Sequence, residues 1–289
     1  MTKVSVIIST YNRPKLLKNA VQSALDQNLE DMEIIIVNDF SDPKYRSQLQ
    51  EVVGLSSKIQ LIDNHENFGV SCSRNKGLDL AKGEFVLFLD DDDVLLPNIL
   101  EETLAVIKDG NFDVVSWQCE IEGDGISDQK KRRYNKRPKK DTLLYHLEDQ
   151  PIEHLSLYHP QIHSFLVRRN AISDLRFMRY RNYGEDLLFW LQLARKGLTF
   201  TKIDTVGSRY YIHASSASVS TSNHEKIRFY LFLLNTMSVS RAVKNLCWIK
   251  LAVLGVKALD LRFILWLINA FLNPVDSFRH IRYYFGLIR

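Results

Sequence analysis

Short apolar runs alternate with helix-like segments through the amino-terminal part of the chain, and this alternation restricts the fold more than any other feature. Residues 4–9 form a β-rich apolar run, and residues 14–27 carry leucine, alanine and valine at the spacing of one helix face. The pattern then repeats, with strands predicted at 33–37, 59–62 and 84–89 and a helix at 70–81. This alternation predicts an α/β fold whose mostly parallel central sheet carries helices on both faces.

The rest of the chain divides into two parts. Up to about residue 220, the sequence predicts further helices at 98–108 and 187–195 and further strands at 113–119 and 164–168. From about residue 225 the pattern is helical and aromatic, but charged residues interrupt it before any apolar run reaches the roughly 18 residues of a membrane span. We therefore expect one α/β domain over residues 1–222 and an amphipathic helical region over residues 223–289.

The cysteines and the amino terminus indicate a reducing compartment. Cys72, Cys119 and Cys247 lie far apart and show no CxxC spacing, which favours reduced packing residues over a disulfide scaffold. The chain runs almost directly from Met1 into its first apolar stretch, without the basic start and the cleavage site of a secretory signal. We therefore expect a cytoplasmic location and no export.

Basic residues are concentrated in two regions. Residues 224–289 carry about ten lysines and arginines against about three acids, and a second basic stretch lies at residues 130–140. The carboxy-terminal pattern is typical of amphipathic helices that lie on the core, on a partner or on a membrane surface. The 130–140 stretch is either a solvated insertion or a contact for an anionic acceptor or lipid headgroups. No nucleic-acid partner is expected.

Polar side chains follow each of the first four predicted strands. In an α/β sheet, ligands bind beyond the carboxyl ends of the strands, so these side chains are expected to converge on one cleft. The set comprises Thr10, Tyr11, Asn12, Arg13, Asn38, Asp39, residues 64–67 and residues 90–93.

The acidic run Asp90, Asp91, Asp92 and Asp93 directly follows the fourth predicted strand. Four carboxylates packed in a cleft would repel one another, so a divalent cation is expected there, and oxygen ligands favour Mg²⁺ or Mn²⁺. One alternative is a solvated acidic turn that caps the next helix. An EF-hand is excluded because its glycine position holds Leu95. The spacing of Asp90 and Asp92 also matches the nucleophile motif of haloacid-dehalogenase phosphatases.

The sequence contains neither G-x-G-x-x-G nor G-x-x-x-x-G-K-[ST], so a diphosphate would have to be held without a glycine-rich loop. Arg74 is one candidate, because it lies on the predicted helix at 70–81 and its guanidinium suits phosphate or a base edge. The alternative is an arginine that forms a surface ion pair.

Five motifs in series resemble the family 2 glycosyltransferases of the GT-A fold, over about residues 1–220. They are SVIISTYNRP at 5–14, IVNDFSD at 36–42, NFGVSCSRNKG at 67–77, FLDDDDVLLP at 88–97 and GEDLLF at 184–189. The main departure is Asn38, where the family usually has an aspartate. The segment at 211–218 resembles the histidine-and-serine segment that closes over the diphosphate near the metal.

The resemblance assigns roles to individual residues. Tyr11 would stack on a nucleobase, Asp39 would accept a hydrogen bond from it, Asp92 would bind the cation, and Asp186 would be the catalytic base. Asp93 is expected to cap a helix. The residues assigned to the nucleotide-sugar are Ser9, Thr10, Tyr11, Arg13, Asp39, Asn67, Arg74, Asp90 and Asp91, and those assigned to Mn²⁺ or Mg²⁺ are Asp92 and His213.

The reaction that the resemblance implies is a metal-dependent, inverting transfer from a nucleotide-diphosphate sugar, with uridine as the expected base, to a hydroxyl of a glycan or lipid-linked glycan. The implied setting is bacterial polysaccharide synthesis, with contact to the inner face of the membrane or homo-oligomer formation through the basic carboxy-terminal helices as further expectations. Two alternatives stay open at this point: a phosphatase with Asp90 as its nucleophile, and a homologue that binds nucleotide without catalysis.

Overall fold

The computed structural model of the protein describes residues 3–27, 29–123, 147, 149–158, 161–179, 183–213, 221–236 and 240–257. The predictions for the basic stretch at 130–140 and for residues 258–289 lie outside these described residues.

The amino-terminal half follows the predicted alternation with small shifts of the boundaries. Its elements are β1 (Val4–Thr10), α1 (Pro14–Leu25), β2 (Met32–Asn38), α2 (Arg46–Val53), β3 (Ile59–Asp63), α3 (Val70–Leu80) and β4 (Phe85–Asp90). The four strands lie in the order β3-β2-β1-β4, and all three pairings are parallel. The predicted parallel sheet is therefore confirmed in this half, and helix α2 is the element that the sequence pattern did not reveal.

The second half extends the same sheet but changes its direction. The elements are β5 (Val94–Leu95), α4 (Ile99–Gly110), β6 (Val114–Glu122), α5 (Pro151–Tyr158), β7 (Phe165–Arg168), α6 (Arg169–Ile172), α7 (Glu185–Arg195) and β8 (Phe200–Tyr211). The full order is β3-β2-β1-β4-β7-β6-β8-β5, and β7 runs antiparallel to both of its neighbours. The sheet is therefore mixed, because β7 enters between β4 and β6 from the opposite end.

Strand β8 was missed because its side chains do not form an apolar run. Lys202, Asp204 and Arg209 interrupt the sequence of the strand, and most of its middle positions are at least partly exposed. β8 nevertheless pairs in parallel with β6, and its end brings Tyr211 beside the acidic turn.

Two hydrophobic clusters cover the two faces of the sheet. Helices α1, α2 and α4 pack on one face, while α3, α5 and α7 pack on the other. The helices α8 (Asn223–Thr236) and α9 (Arg241–Lys257) join this second cluster through Phe229, Leu233, Val243 and Leu251. The predicted helical carboxy-terminal region is therefore present, and its described part packs on the core. Over the described residues, no helix combines the length and the apolar character that a membrane crossing requires.

Candidate active site

The ends of β1 and β4 are joined by direct side-chain contacts. The Thr10 hydroxyl donates a hydrogen bond of 2.7 Å to Asp91, and Arg13 lies 3.2 Å from Asp91 and 2.8 Å from Asp92. Burial is the main cause that raises the pKa of Asp91, to about 7. Ser9, which was also assigned to the nucleotide-sugar, is in register with Asp90 where β1 pairs with β4. The predicted convergence of polar side chains at the ends of β1 and β4 is therefore confirmed.

Asp39 organises the loop between β3 and α3. One of its carboxylate oxygens accepts hydrogen bonds from the Asn64 amide at 2.8 Å and from the Phe68 backbone N–H at 3.0 Å. The other oxygen accepts from the Gly69 N–H at 2.8 Å. Within the same region, Tyr11 is 45% exposed and Asn67 is also exposed. Asp39 is thus buried and hydrogen-bonded to the protein. Tyr11, which directly follows β1, is partly exposed to solvent.

Asn38, the departure from the family pattern, has a specific partner. Its side-chain amide donates a hydrogen bond of 2.7 Å to the Asp63 carboxylate at the end of the neighbouring strand β3. An aspartate at position 38 would place a second carboxylate there, whereas the asparagine supplies a donor. The amide at this position is therefore matched to Asp63.

The four consecutive aspartates point to different partners. Asp90 lies 2.6 Å from Arg74, Asp91 and Asp92 contact Arg13, and Asp93 lies 2.8 Å from His163. Burial acts to raise the pKa of Asp90, but the charge and hydrogen bond of Arg74 outweigh it, so this pKa lies below its ordinary value. The acidic run is thus divided among different basic side chains, and Arg13 contacts two of the aspartates.

The prediction that Asp93 caps a helix is wrong. Helix α4 begins after Asn98 without a side-chain cap, whereas Asp93 is fully buried and accepts a hydrogen bond of 2.9 Å from the Tyr211 backbone N–H. Its other oxygen faces Nδ1 of His163, which is also fully buried. Because a buried carboxylate needs a compensating charge and donors, it turns inward to them and away from the helix end. Asp93 therefore fastens the acidic turn to the end of β8.

His163 is the residue of this site that sequence reasoning missed. Burial acts to lower the pKa of His163, but the charge of the neighbouring Asp93 carboxylate acts in the opposite direction and outweighs burial. The pKa of His163 therefore lies well above its ordinary value. Its Nε2 lies 3.4 Å from the Sγ of Cys119. No motif surrounds this histidine, and the available signal was a histidine two residues before the apolar run of β7. The structure supplies the reason for a histidine there, since it is the counter-ion of Asp93.

Asp92 and His213 form the pair that was predicted to bind the cation. His213 Nε2 lies 2.8 Å from an Asp92 oxygen, and both residues line a cavity of about 710 Å³ together with Glu122 and Tyr211. A carboxylate and an imidazole at the wall of an open cavity fit a cation that takes few protein ligands and completes its coordination with phosphate and water. Asp90, Asp93 and His163 also lie close enough to share an ion, but Asp93 and His163 are fully buried and none of the three lines this cavity. We therefore favour the cavity-facing pair.

Arg74 connects the acidic turn to helix α7. Its guanidinium is almost fully buried and donates both to Asp90 and, at 3.1 Å, to Glu185 at the start of α7. The ring of Phe177 lies beneath it, 5.4 Å from the guanidinium carbon. Arg74 is thus an internal bridge, so the interpretation as a surface ion pair is wrong.

Asp186 stands next to this bridge, at the first turn of α7. Burial and then the neighbouring charge of Glu185 raise the pKa of Asp186 to about 7, although Arg74 acts in the opposite direction. One Asp186 oxygen accepts a hydrogen bond of 2.7 Å from the Leu187 backbone N–H. A carboxylate whose pKa lies close to neutrality is suited to accept a proton at physiological pH.

The strand order, the acidic turn after β4 and the helix that begins beside it define the GT-A class of α/β folds. A crystal structure of Staphylococcus aureus TarS, residues 1–349 in complex with UDP-GlcNAc, has the same fold, with a TM-score of 0.63 and 20% identity. The match covers 89% of this chain and 73% of the TarS chain. The sequence profile of Glycosyl transferase family 2 matches residues 5–176. The chain belongs to this family.

Two relatives show how far the similarity extends. An uncharacterized glycosyltransferase of Methanocaldococcus jannaschii is 28% identical over 236 residues, which cover 80% of this chain and 78% of the relative. The GalNAc(5)-diNAcBac-PP-undecaprenol β-1,3-glucosyltransferase of Campylobacter jejuni is 30% identical over 203 residues, which cover 68% of this chain and 61% of the relative.

Proposed function

We propose that this glycosyltransferase moves a sugar from a nucleotide-diphosphate donor, with uridine as the base, to a hydroxyl of a glycan or lipid-linked glycan, with inversion at the anomeric carbon. The observation that carries the proposal is the Arg74 bridge, which links Asp90, the last residue of β4, to Glu185 beside Asp186. It holds Asp90, which we assign to the nucleotide, near Asp186, a carboxylate whose pKa is raised to about 7. A nucleotide site and a proton acceptor are the two parts that such a transfer needs.

The donor side of the site is assigned from the contacts after β1, β2 and β4. We assign Tyr11 to the nucleobase, and Asp39 to the support of the loop at residues 64–69 as well as to the base. Uridine is supported by the UDP-GlcNAc in TarS, and a lipid-linked acceptor by the undecaprenol-linked substrate in the name of the Campylobacter jejuni relative. The remaining donor residues in this proposal are Ser9, Thr10, Arg13, Asn67, Arg74, Asp90 and Asp91.

The chemistry is a single displacement. Asp186 accepts the proton of the acceptor hydroxyl while that oxygen forms a bond to the anomeric carbon, and the bond from this carbon to the diphosphate oxygen breaks. One attack from the opposite side inverts the configuration, so no carboxylate nucleophile is required. Asp92 and His213 would hold Mn²⁺ or Mg²⁺, which supplies positive charge to the departing diphosphate.

The alternatives gain no support from the geometry. A phosphatase nucleophile at Asp90 would have to attack from a carboxylate that Arg74 already engages at 2.6 Å. A homologue that only binds nucleotide would not need the second pair of acids, Glu185 and Asp186, that Arg74 holds beside Asp90.

A donor screen tests the proposal. Thermal stabilisation and donor hydrolysis are measured with UDP-N-acetylglucosamine, UDP-glucose, UDP-galactose and matching GDP and ADP sugars, with and without Mn²⁺. At least one UDP-sugar is expected to stabilise the protein, more strongly with Mn²⁺, and Asp92→Asn is expected to remove the Mn²⁺ increment. Binding of no nucleotide-sugar would overturn the donor assignment, and binding that ignores Mn²⁺ in the wild type would overturn the metal assignment.

The boundary at residues 222 and 223, the cytoplasmic location, contact with the inner membrane face and a homo-oligomer stay predictions. Fractionation of the full chain and of a truncation before Glu225, without detergent, tests the membrane contact. The prediction fails if both forms partition identically.

A further inference from the structure

Helix α8 reaches the turn that carries Asp186 into the site. Its Phe229 is buried, and the edge of this ring meets the Tyr183 ring, with the two centroids 5.4 Å apart and an interplanar angle of 85°. Tyr183 is followed by Gly184, the residue from which α7 starts. The carboxy-terminal helices are therefore in direct contact with the segment just before the proposed base.

Gly184 and Phe229 fit together in a way that allows no side chain at position 184. Gly184 has a φ of +75°, a conformation that glycine adopts most readily. A Cβ placed on Gly184 would lie 2.4 Å from Cε2 and 2.5 Å from Cζ of Phe229. The phenyl ring occupies the space that any other residue would fill.

This contact bears on Asp186 through the start of α7. The backbone carbonyl of Gly184 accepts the hydrogen bond of 2.9 Å from the Leu188 N–H that begins the helical ladder. Asp186 lies within this first turn, so a shift of Gly184 moves the carboxylate with it. The ring of Phe229 limits such a shift on the side of α8.

Phe229 is itself held by the rest of the carboxy-terminal region. Its neighbour Tyr230 lies with its ring 5.3 Å from the Nζ of Lys250 on α9, and that ammonium donates a hydrogen bond of 3.2 Å to the backbone carbonyl of Ser156 on α5. Leu233 and Val243 belong to the same buried cluster. Helix α8, which carries Phe229, is therefore packed against the rest of the core.

We propose that Phe229 is a positioning residue for Asp186, and that helix α8 thereby completes the catalytic site. The inference rests on the proposed role of Asp186 as the base, and it gives the carboxy-terminal region a function in catalysis. Because a misplacement of about 1 Å can reduce a rate by about a hundredfold, we expect loss of this contact to lower turnover and to leave donor binding unchanged.

The test uses UDP release from UDP-N-acetylglucosamine, UDP-glucose or UDP-galactose with Mn²⁺, whichever the wild type hydrolyses fastest, with water in place of the acceptor. Phe229→Ala is expected to lower the rate at saturating donor by about tenfold to a hundredfold, with the donor KM within about twofold. Phe229→Leu is expected to retain more activity. Leu49→Ala is the matched control, since Leu49 is buried on α2 on the opposite face of the sheet, and its rate should stay within about twofold of the wild type at a temperature where both are folded.

A double-mutant cycle separates positioning from general damage. Gly184→Ala alone is expected to lower the rate because its Cβ collides with Phe229, and Gly184→Ala combined with Phe229→Leu should lose less than the product of the two single losses. Multiplicative losses, or a wild-type rate in Phe229→Ala, would overturn the inference.

Failure of the proposed function gives a different result. If the wild type binds no UDP-sugar, the donor assignment is wrong. If Asp186→Asn hydrolyses the donor at the wild-type rate, the base assignment is wrong. In either case the proposed role of Phe229 is wrong as well. If Asp186→Asn is inactive while Phe229→Ala matches the wild type, only the role of Phe229 is wrong.

Discussion

The two sides of the acidic turn are built in different ways. On the donor side, the ends of β1 to β4, contacts join neighbouring strands of one parallel sheet, as Thr10 joins Asp91 and Asn38 joins Asp63. On the second side, formed by β7, β8, α7 and α8, single side chains connect distant segments. Arg74 and Glu185 are 111 positions apart, and Asp92 and His213 are 121 positions apart. The donor side thus follows from strand order, whereas the second side depends on a few pairs of side chains that are distant in sequence.

The largest expected effect separates the two sides directly. Asp186→Asn should lower sugar transfer or donor hydrolysis by about 10²–10⁴-fold, because the acceptor proton loses its base. Donor binding, which depends on the other side, should change little. Isothermal titration with UDP and an assay of UDP release measure the two quantities. An active Asp186→Asn enzyme would remove this residue from the base role, and loss of UDP binding would show that the two sides are not separable.

His163 tests whether a single buried pair holds the second side together. His163→Ala leaves the Asp93 carboxylate buried without its counter-ion, and the free energy of unfolding should fall by about 3–5 kcal/mol. Urea denaturation followed by tryptophan fluorescence measures the loss.

Cys119→Ser is the control for His163→Ala, because it alters the other contact of the imidazole and keeps the Asp93 pair. It should cost about 1 kcal/mol. Equal losses in the two variants would mean that packing around the imidazole, and not its charge, matters at this position.

The pH dependence tests the electrostatic link between Glu185 and Asp186. Because the base must be ionised and burial and Glu185 raise its pKa to about 7, the hydrolysis rate should rise as the pH increases through about 7. Glu185→Gln removes the like charge and should move this rise to lower pH by about one unit. The control is Asp79→Asn, which alters an exposed ion pair with Arg176 and should leave the profile in place. A shift in the opposite direction would show that Glu185 acts mainly by holding Arg74.

The smallest expected effect lies on the donor side. Asn38→Asp restores the usual family residue but places two carboxylates together at the ends of β2 and β3, and it should cost about 1 kcal/mol in the free energy of unfolding. A second change, Asp63→Asn, should recover most of the loss, as urea denaturation of the three variants would show. If Asn38→Asp is neutral on its own, the match between Asn38 and Asp63 has no energetic importance.

The same contrast explains what the sequence could predict. Apolar runs and helix periodicity revealed β1 to β4 and the convergence of their ends, because strand order in such units is restricted. They did not reveal that Asp93 turns inward to His163, because the partner lies on another element and no spacing rule connects them. Strand β8 was missed for a similar reason. Its polar positions give no strand pattern, and its place in the sheet follows from its pairing with β6, which is distant in sequence. Arg74 was assigned to a ligand, and its carboxylate partner on α7 became apparent only from the fold.

The buried position of Arg74 also limits how enzymes of this kind can be recombined. The guanidinium pairs with one acid at the end of β4 and with another at the start of α7, so both of its hydrogen-bonding edges are satisfied only when the two segments match. A chimera that exchanges the chain beyond β5 must therefore carry an acid at position 185, or one edge of the buried guanidinium loses its carboxylate partner. This single pairing offers a simple criterion for choosing parents before any library is built.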